Sequence, residues 1–266
     1  MKIIHLTDTH ILGEGRENLY GINPAYRLKR AIKSINQSHT DAEFIAITGD
    51  LVDNASEDAY AVFKEIIKQS KIPVYSILGN HDNREKFLNF FPEYENDGFV
   101  QYVYETDGRV FLFIDTLIEG KRYGDLCSKR LKWLEKKLQK YKENPMYIFM
   151  HHHPVISGLY EMDHLAQFRS ADSFWKMIEK FPSIKHISFG HLHRIMHASR
   201  AYVSMHSTRS TSFQVAYKIN DKQEYTTDKE MPTYAVINIS KTEDITIHHH
   251  EYLSENDYRE YNPKEV

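Results

Sequence analysis

The chain has 266 residues, 41% hydrophobic and 13% aromatic, which is enough to bury a sizeable core and argues against disorder. Its formal net charge of −3 supplies no basic field for tracking along polyphosphate, so long nucleic acid is excluded as an expected partner. One cysteine, Cys127, precludes an intrachain disulfide, and nothing reaches the roughly 18 consecutive apolar residues of a membrane span. With no secretory leader before Ile3, a soluble cytoplasmic protein without a membrane partner is expected.

In chain order, residues 3–6 read as a buried strand ending before Asp8, and 24–37 as a helix. A strand over 44–48 runs into Gly49-Asp50, and Ser56-Glu57-Asp58 supplies capping chemistry for a helix over 56–69. Strands over 74–78 and 110–114 end at Gly79-Asn80 and Asp115. A helix over 128–141, opened by Ser128, precedes a strand over 146–150 that stops at three histidines. A helix over 163–180 and a strand over 186–189 then lead to Gly190-His191. From Ala201 the pattern is β-rich, with strands over 202–206, 234–239 and 245–252, and the polar end, 254–266, is expected to fray. Strand alternating with helix predicts an α/β layered fold whose strand carboxyl ends share one crevice.

Five polar clusters stand at those ends: Asp8-Thr9-His10, Gly49-Asp50-Leu51-Val52-Asp53, Gly79-Asn80-His81-Asp82, His151-His152-His153-Pro154 and Gly190-His191-Leu192-His193. Asp8 and His10, like His191 and His193, sit two apart, so an extended backbone would aim each pair at one centre. The glycines permit tight turns beside the polar groups.

The ordered set resembles the metallophosphoesterase (calcineurin-like phosphoesterase) superfamily over residues 8–193. Met150-His151-His152-His153-Pro154 and Ser210-Thr211-Ser212-Phe213-Gln214 look most like its class III cyclic-nucleotide phosphodiesterases and the related glycerophosphodiesterases. The resemblance implies a four-layer αββα sandwich of two mixed β-sheets with a dimetal site at strand carboxyl ends. A single domain over 1–266 is expected, with 194–266 open to forming a small cap or a dimerisation segment, and a homodimer or higher homo-oligomer is compatible with it. The resemblance further implies that Asp8, His10, Asp50 and His193 bind one divalent metal ion and Asp50, Asn80, His151 and His191 the second, with Asp50 as the bridge. Such mixed ligands suit Fe, Mn, Co or Zn rather than calcium. His81 would stand by the leaving oxygen as an acid or electrostatic stabiliser, with Asp53 orienting its imidazole.

Two divalent cations, less Asp8, Asp50 and a bridging hydroxide, leave about +1 by formal counting, which matches a phosphodiester monoanion. The expected reaction is in-line attack of that hydroxide on a cyclic nucleotide of the 3′,5′-cyclic AMP type or another small phosphodiester. A phosphomonoesterase or pyrophosphatase acting on nucleotides is the alternative enzyme. A protein-binding scaffold on the same fold is the non-enzymatic alternative, but such scaffolds lose ligands that are all present here. Asn54 stands where protein phosphatases carry an arginine, which disfavours that activity; Arg209 and Thr233 stand where cyclic-nucleotide enzymes carry proline and glycine.

Other features have plainer readings. His152 and His153 serve equally well as loop-shaping residues, and His248-His249-His250 lies in an alternating run that reads as a solvated strand. Asp115 reads as a buried acid bonded to backbone, and Leu131, Trp133, Leu134 and Leu138 as the apolar stripe of a solvated helix.

Overall fold

The computed structural model describes residues 1–16, 18–216, 226–228 and 230–253. Strands Lys2–Leu6, Phe44–Thr48 and Val74–Ile77 run parallel, and Thr233–Ile239 and Ile245–Glu251 extend them antiparallel into a five-stranded sheet. A six-stranded sheet has the order Met196–Arg200, Val203–Ser207, Ile184–Phe189, Met146–Met150, Arg109–Phe113, Tyr102–Thr106, parallel at its centre and antiparallel at both edges.

Alternation along each strand divides the core into three layers. Ile4, Leu6, Ile45 and Ile47 face Leu28, Ile32, Tyr60 and Phe63 of the helices Pro24–Ser38 and Glu57–Ile67. Their neighbours Ile3, Phe44 and Ala46 meet Phe111, Phe113, Tyr147 and Phe149 of the second sheet. That sheet's other face packs Met146, Ile148 and Met150 on Leu134 of helix Ser128–Lys140 and on Phe174 and Trp175 of helix Ala171–Ile178. Helix, sheet, sheet and helix make the four-layer αββα sandwich, and each fully buried side chain of this size contributes about 1.5–3 kcal/mol.

The structure differs from the sequence reading in specific places. The helix over 163–180 is broken into Tyr160–His164 and Ala171–Ile178. The segment between them is drawn onto Gly124, whose N–H donates to the Gln167 carbonyl at 3.1 Å and whose carbonyl accepts from Arg169 N–H at 2.8 Å. Cys127, not Ser128, holds the N-cap position, and Ser56 caps without a side-chain hydrogen bond to its helix. A short helix, Arg84–Phe90, capped by Asn83 Oδ1 accepting from Lys86 N–H, was too brief to show periodicity. The edge strands Tyr102–Thr106 and Met196–Arg200 also went unforeseen, because edges carry mixed rather than continuous apolar runs. Beyond residue 194, the described strands Met196–Arg200, Val203–Ser207, Thr233–Ile239 and Ile245–Glu251 are members of the two sheets, while Gln214–Val215 and Thr227–Asp228 pair antiparallel in a small sheet of their own; the fraying expected at 254–266 lies outside the described residues. No described helix is long and apolar enough to cross a membrane.

Candidate metal centre

Each polar cluster follows a strand of the sandwich, so Asp8, Asp50 and Asn80 from one sheet meet His151, His191 and His193 from the other. The backbone there is not extended. Asp8, His10, Asp50, His191 and His193 all have φ between 44° and 69°, the left-handed region. Such conformations cost on the order of 1–3 kcal/mol each in non-glycine residues and concentrate at functional sites. The two-residue spacings therefore act differently from the expectation: Asp8 and His10 share one cluster, but His191 and His193 part, one to each.

Gly49, at φ 90°, and Gly79 make the tight approach between these loops. A Cβ on Gly79 would lie 2.2 Å from Asp50 Oδ1 and 2.4 Å from Asp50 N, so only glycine lets the third loop close over Asp50.

Asp8, His10, Asp50 and His193 form the first cluster, all buried. His10 Nε2 and His193 Nε2 are 3.1 Å apart, Asp8 Oδ1 is 3.2 Å from His193 Nε2, and Asp50 Oδ2 is 3.7 Å from His10 Nε2. In the second, His191 Nδ1 and His151 Nε2 are 3.1 Å apart, and Asn80 Oδ1 lies 3.2 Å from His151 Nε2. Asp50 spans both: its other oxygen, Oδ1, is 3.6 Å from His151 Nε2 and is fixed by His81 N–H at 2.8 Å.

The outward nitrogens determine what the inward ones can do. His151 Nδ1 and His193 Nδ1 each lie 2.7 Å from a carbonyl, of Thr48 and Phe213, and His191 Nε2 lies 2.9 Å from that of Ala166, in the break between the two short helices. Carbonyls only accept, so the outward nitrogens carry protons, and each ring in its neutral form turns a lone pair inward. Lone pairs and carboxylates converging at about 3 Å fit a cation between them, and this nitrogen and oxygen set fits borderline divalent metals. Burial, with His152, His151 and His153 adding to it, pushes His191 well below its ordinary value. Burial, the largest influence, lowers His193 too, but the Asp8 carboxylate, the Phe213 carbonyl and the Asp50 charge together outweigh it and raise the value, as expected where a positive charge is drawn in.

Asp53 and His81 stand at the rim of the first cluster. The Asp53 carboxylate is nearer His10 Nδ1, at 3.5 Å, than His81 Nδ1, at 3.9 Å, and His81 is tied at 2.8 Å to the Asp53 carbonyl instead. The orienting contact expected between carboxylate and His81 is thus made chiefly by backbone. His152 has both nitrogens engaged, Nδ1 by Thr116 Oγ1 at 2.8 Å and Nε2 by the Arg122 carbonyl at 3.2 Å, and His153 faces Asp163 at 3.3 Å. Asp115 is buried and accepts from Val100 N–H and Leu117 N–H, as read, and also from Arg84 and Arg130. His248 and His250 point to solvent along strand Ile245–Glu251.

Asp82 had no role assigned, although it closes the third motif. Buried, it accepts from the N–H groups of Gly79, Leu51 and Val52 and from Tyr60 Oη, stapling the second loop to the third. Burial and the Asp50 charge push its carboxyl up to about 7. A cleft of about 380 Å³ opens over the clusters, walled by Tyr20, Arg122, Glu161, Met162 and Phe213. Tyr20, Arg122 and Phe213 come from irregular chain and Glu161 and Met162 from the five-residue helix Tyr160–His164, too short for periodicity to give a signal; Phe213 alone lies in a segment singled out by resemblance.

The model of the calcineurin-like phosphoesterases matches residues 1–195, and the chain belongs to that family of metal-dependent phosphoesterases. A "probable cyclic nucleotide phosphodiesterase" of Rhodopseudomonas palustris is 34% identical over 253 residues, covering 93% of this chain and 91% of its own. A "probable glycerophosphodiester phosphodiesterase" of Arcobacter nitrofigilis is 32% identical over 223 residues, 81% of this chain and 80% of its own. Among solved structures, a dimetal phosphatase from Danio rerio aligns with TM-score 0.72 over 95% of this chain and 96% of that one at 13% identity, a likeness of fold. The family and its buried His and Asp clusters imply divalent metals.

Proposed function

We propose that the chain is a phosphodiesterase acting on cyclic nucleotides of the 3′,5′-cyclic AMP type or another small phosphodiester in the cytoplasm. In this reading Asp8, His10, Asp50 and His193 hold one divalent ion and Asp50, Asn80, His151 and His191 the other, with Fe, Mn, Co or Zn as the candidates. When bound, the two ions supply an activated water and a clamp for phosphoryl oxygens. The chain's own residues do the rest. The outer carbonyls of Thr48, Phe213 and Ala166 hold the imidazoles in the required tautomers. His81 reaches the cleft, with its Nδ1 on the Asp53 carbonyl and its Nε2 available to the departing oxygen. Tyr20 and Phe213, edge-on to each other with ring centroids 4.9 Å apart, offer an aromatic corner for a base.

The observation that carries the diester reading is charge. Among the described residues lining the cleft, Arg122 is the one permanent cation, and Glu161 neutralises it at 2.7 Å. A site near +1 by formal counting then matches a monoanionic diester better than a dianionic monoester. The test is kcat/KM with Mn²⁺ across cyclic AMP, cyclic GMP, glycerophosphodiesters, nucleoside monophosphates and an aryl diester. Diesters are expected to be preferred at least tenfold; equal or higher efficiency on monoesters would overturn the reading in favour of a nucleotide phosphomonoesterase.

A further inference from the structure

Between the two sheets, where the layer is otherwise built of Ile3, Phe44, Phe111, Phe113 and Phe149, three histidines are buried: His5, His186 and His206. Packing does not call for them, and polar rings placed there are costly unless every nitrogen is paired. All six are. His186 Nδ1 is 2.7 Å from Ser204 Oγ, His186 Nε2 is 2.7 Å from His206 Nδ1, and His206 Nε2 is 3.0 Å from His5 Nδ1. The chain continues from His5 Nε2 to Thr48 Oγ1 at 2.8 Å, from Thr48 Oγ1 to Thr7 Oγ1 at 2.9 Å, and from Thr7 Oγ1 to Asp8 Oδ2 at 2.6 Å.

The direction of this chain is fixed by its end. A carboxylate only accepts, so the single Thr7 proton goes to Asp8, and the Thr7 oxygen must receive the single proton of Thr48. Thr48 then accepts, which puts a proton on His5 Nε2. Burial pushes His5 and His186 down to about 3, and burial with His186, His5 and His249 pushes His206 well below its ordinary value, so each ring is neutral and carries one proton. With Nε2 of His5 protonated, its Nδ1 must accept from His206 Nε2–H. By the same step His206 Nδ1 accepts from His186 Nε2–H, and His186 Nδ1 accepts from the exposed Ser204 hydroxyl.

We propose that Ser204, His186, His206, His5, Thr48 and Thr7 form a one-way hydrogen-bond relay across the sandwich that ends on Asp8 Oδ2, and that His5 and His206 are positioning residues for the metal centre. The inference rests on the reading of Asp8 as a metal ligand. Oδ2 is occupied by the Thr7 hydroxyl and by His191 N–H at 3.0 Å, while Oδ1 faces His193 and the first cluster. Aligned hydrogen bonds polarise one another, so a donor arriving at Thr7 strengthens its bond to Asp8. A competing state is close: Thr7 Oγ1 is also 3.3 Å from the Thr48 carbonyl, and a Thr7 hydroxyl that turned there would strip Oδ2 of its shortest bond.

Two measurements test the relay. In protein labelled with ¹⁵N-histidine, His5, His186 and His206 are expected to show a protonated Nε2 and a bare Nδ1; a protonated Nδ1 on His5 or His206 overturns the direction, whatever the metal does. Mn²⁺ affinity is expected to fall on the order of 10- to 100-fold in His206→Leu and in the near-isosteric Thr48→Val, which serves should the first fail to fold. His206→Gln keeps one donor and one acceptor and should recover most of the loss. Parental Mn²⁺ affinity in both broken variants, or no recovery in His206→Gln, overturns the positioning role. A parent protein that takes up no Mn²⁺ while showing the expected tautomers overturns the metal reading, and with it the positioning role, but not the relay, so the two failures are told apart.

Discussion

Asp53 serves two imidazoles with two different atoms: its carboxylate lies 3.5 Å from His10 Nδ1, and its backbone carbonyl accepts from His81 Nδ1 at 2.8 Å. A side-chain substitution therefore reaches His10 and spares the main anchor of His81. Asp53→Asn is expected to weaken Mn²⁺ binding by on the order of tenfold, the effect of loosening an outer-shell partner of a ligand imidazole. Once metal is saturated, the remaining rate loss should be the same for alkyl and aryl diesters. A loss concentrated on poor leaving groups, with metal affinity intact, would return the carboxylate to His81.

His81 itself should show the opposite pattern. Its nearest neighbours are the Asp53 carbonyl and the Asp50 loop, and its ring stands edge-on to His10 with centroids 4.8 Å apart without joining either buried cluster. His81→Ala should retain both ions by elemental analysis. It should slow cyclic-nucleotide hydrolysis by on the order of 10²–10⁴, about 3–5 kcal/mol, because an alkoxide needs a positioned acid. Bis-nitrophenyl phosphate, whose leaving group departs largely unaided, should lose far less. Equal losses on both would place His81 in binding or in activation of the water.

What could be read in advance follows from how each feature is encoded. Continuous apolar runs such as Phe44-Ile45-Ala46-Ile47-Thr48 and Met146-Tyr147-Ile148-Phe149-Met150 are buried on both faces, so strand and layer were legible together. The seven expected ligand residues come together because each ends such a strand. Their backbone conformation was not legible, since no periodicity distinguishes an extended Asp8-Thr9-His10 from the left-handed turns observed. Nor was the break at 165–170, whose apolar spacing fits a helix while pairing with Gly124 and the Ala166 carbonyl's bond to His191 hold it open. The cleft wall depends on loops meeting across the sandwich, as when Phe213 comes within 4.5 Å of the His193 ring.

Gly79 tests how tightly the loops must close. Its missing Cβ leaves room for Asp50 Oδ1 and the Asp50 N–H, and Asp82 accepts the Gly79 N–H at 2.8 Å. Gly79→Ala should force Asp50 away from the position between the clusters, destabilising the protein by about 1–3 kcal/mol as overpacking does. Metal content should fall below two ions per chain. Two ions and parental denaturation midpoints in Gly79→Ala would show that the loops can part without disturbing Asp50.

The buried imidazoles also predict how stability depends on pH. His5 and His186 have values near 3 in the folded chain against 6.5 for an ordinary histidine, burial being the main cause in both. Below pH 6.5 the unfolded chain binds protons that the folded chain refuses, so stability rises with pH through this window. The contribution is complete above about 6.5 and is lost as pH falls toward 3, at about 1.4 kcal/mol per pH unit for each such histidine. Urea unfolding of metal-free protein from pH 7.5 to 4.5 should show that slope, and His186→Asn, which keeps a donor and an acceptor for Ser204 and His206, should reduce it by about 1.4 kcal/mol per unit. Comparing the two proteins cancels every titrating group they share, including the candidate ligands. An unchanged slope in His186→Asn would mean that the folded chain takes up a proton on this ring in the same range as the unfolded chain, around 6.5, so that burial does not hold His186 neutral in mild acid.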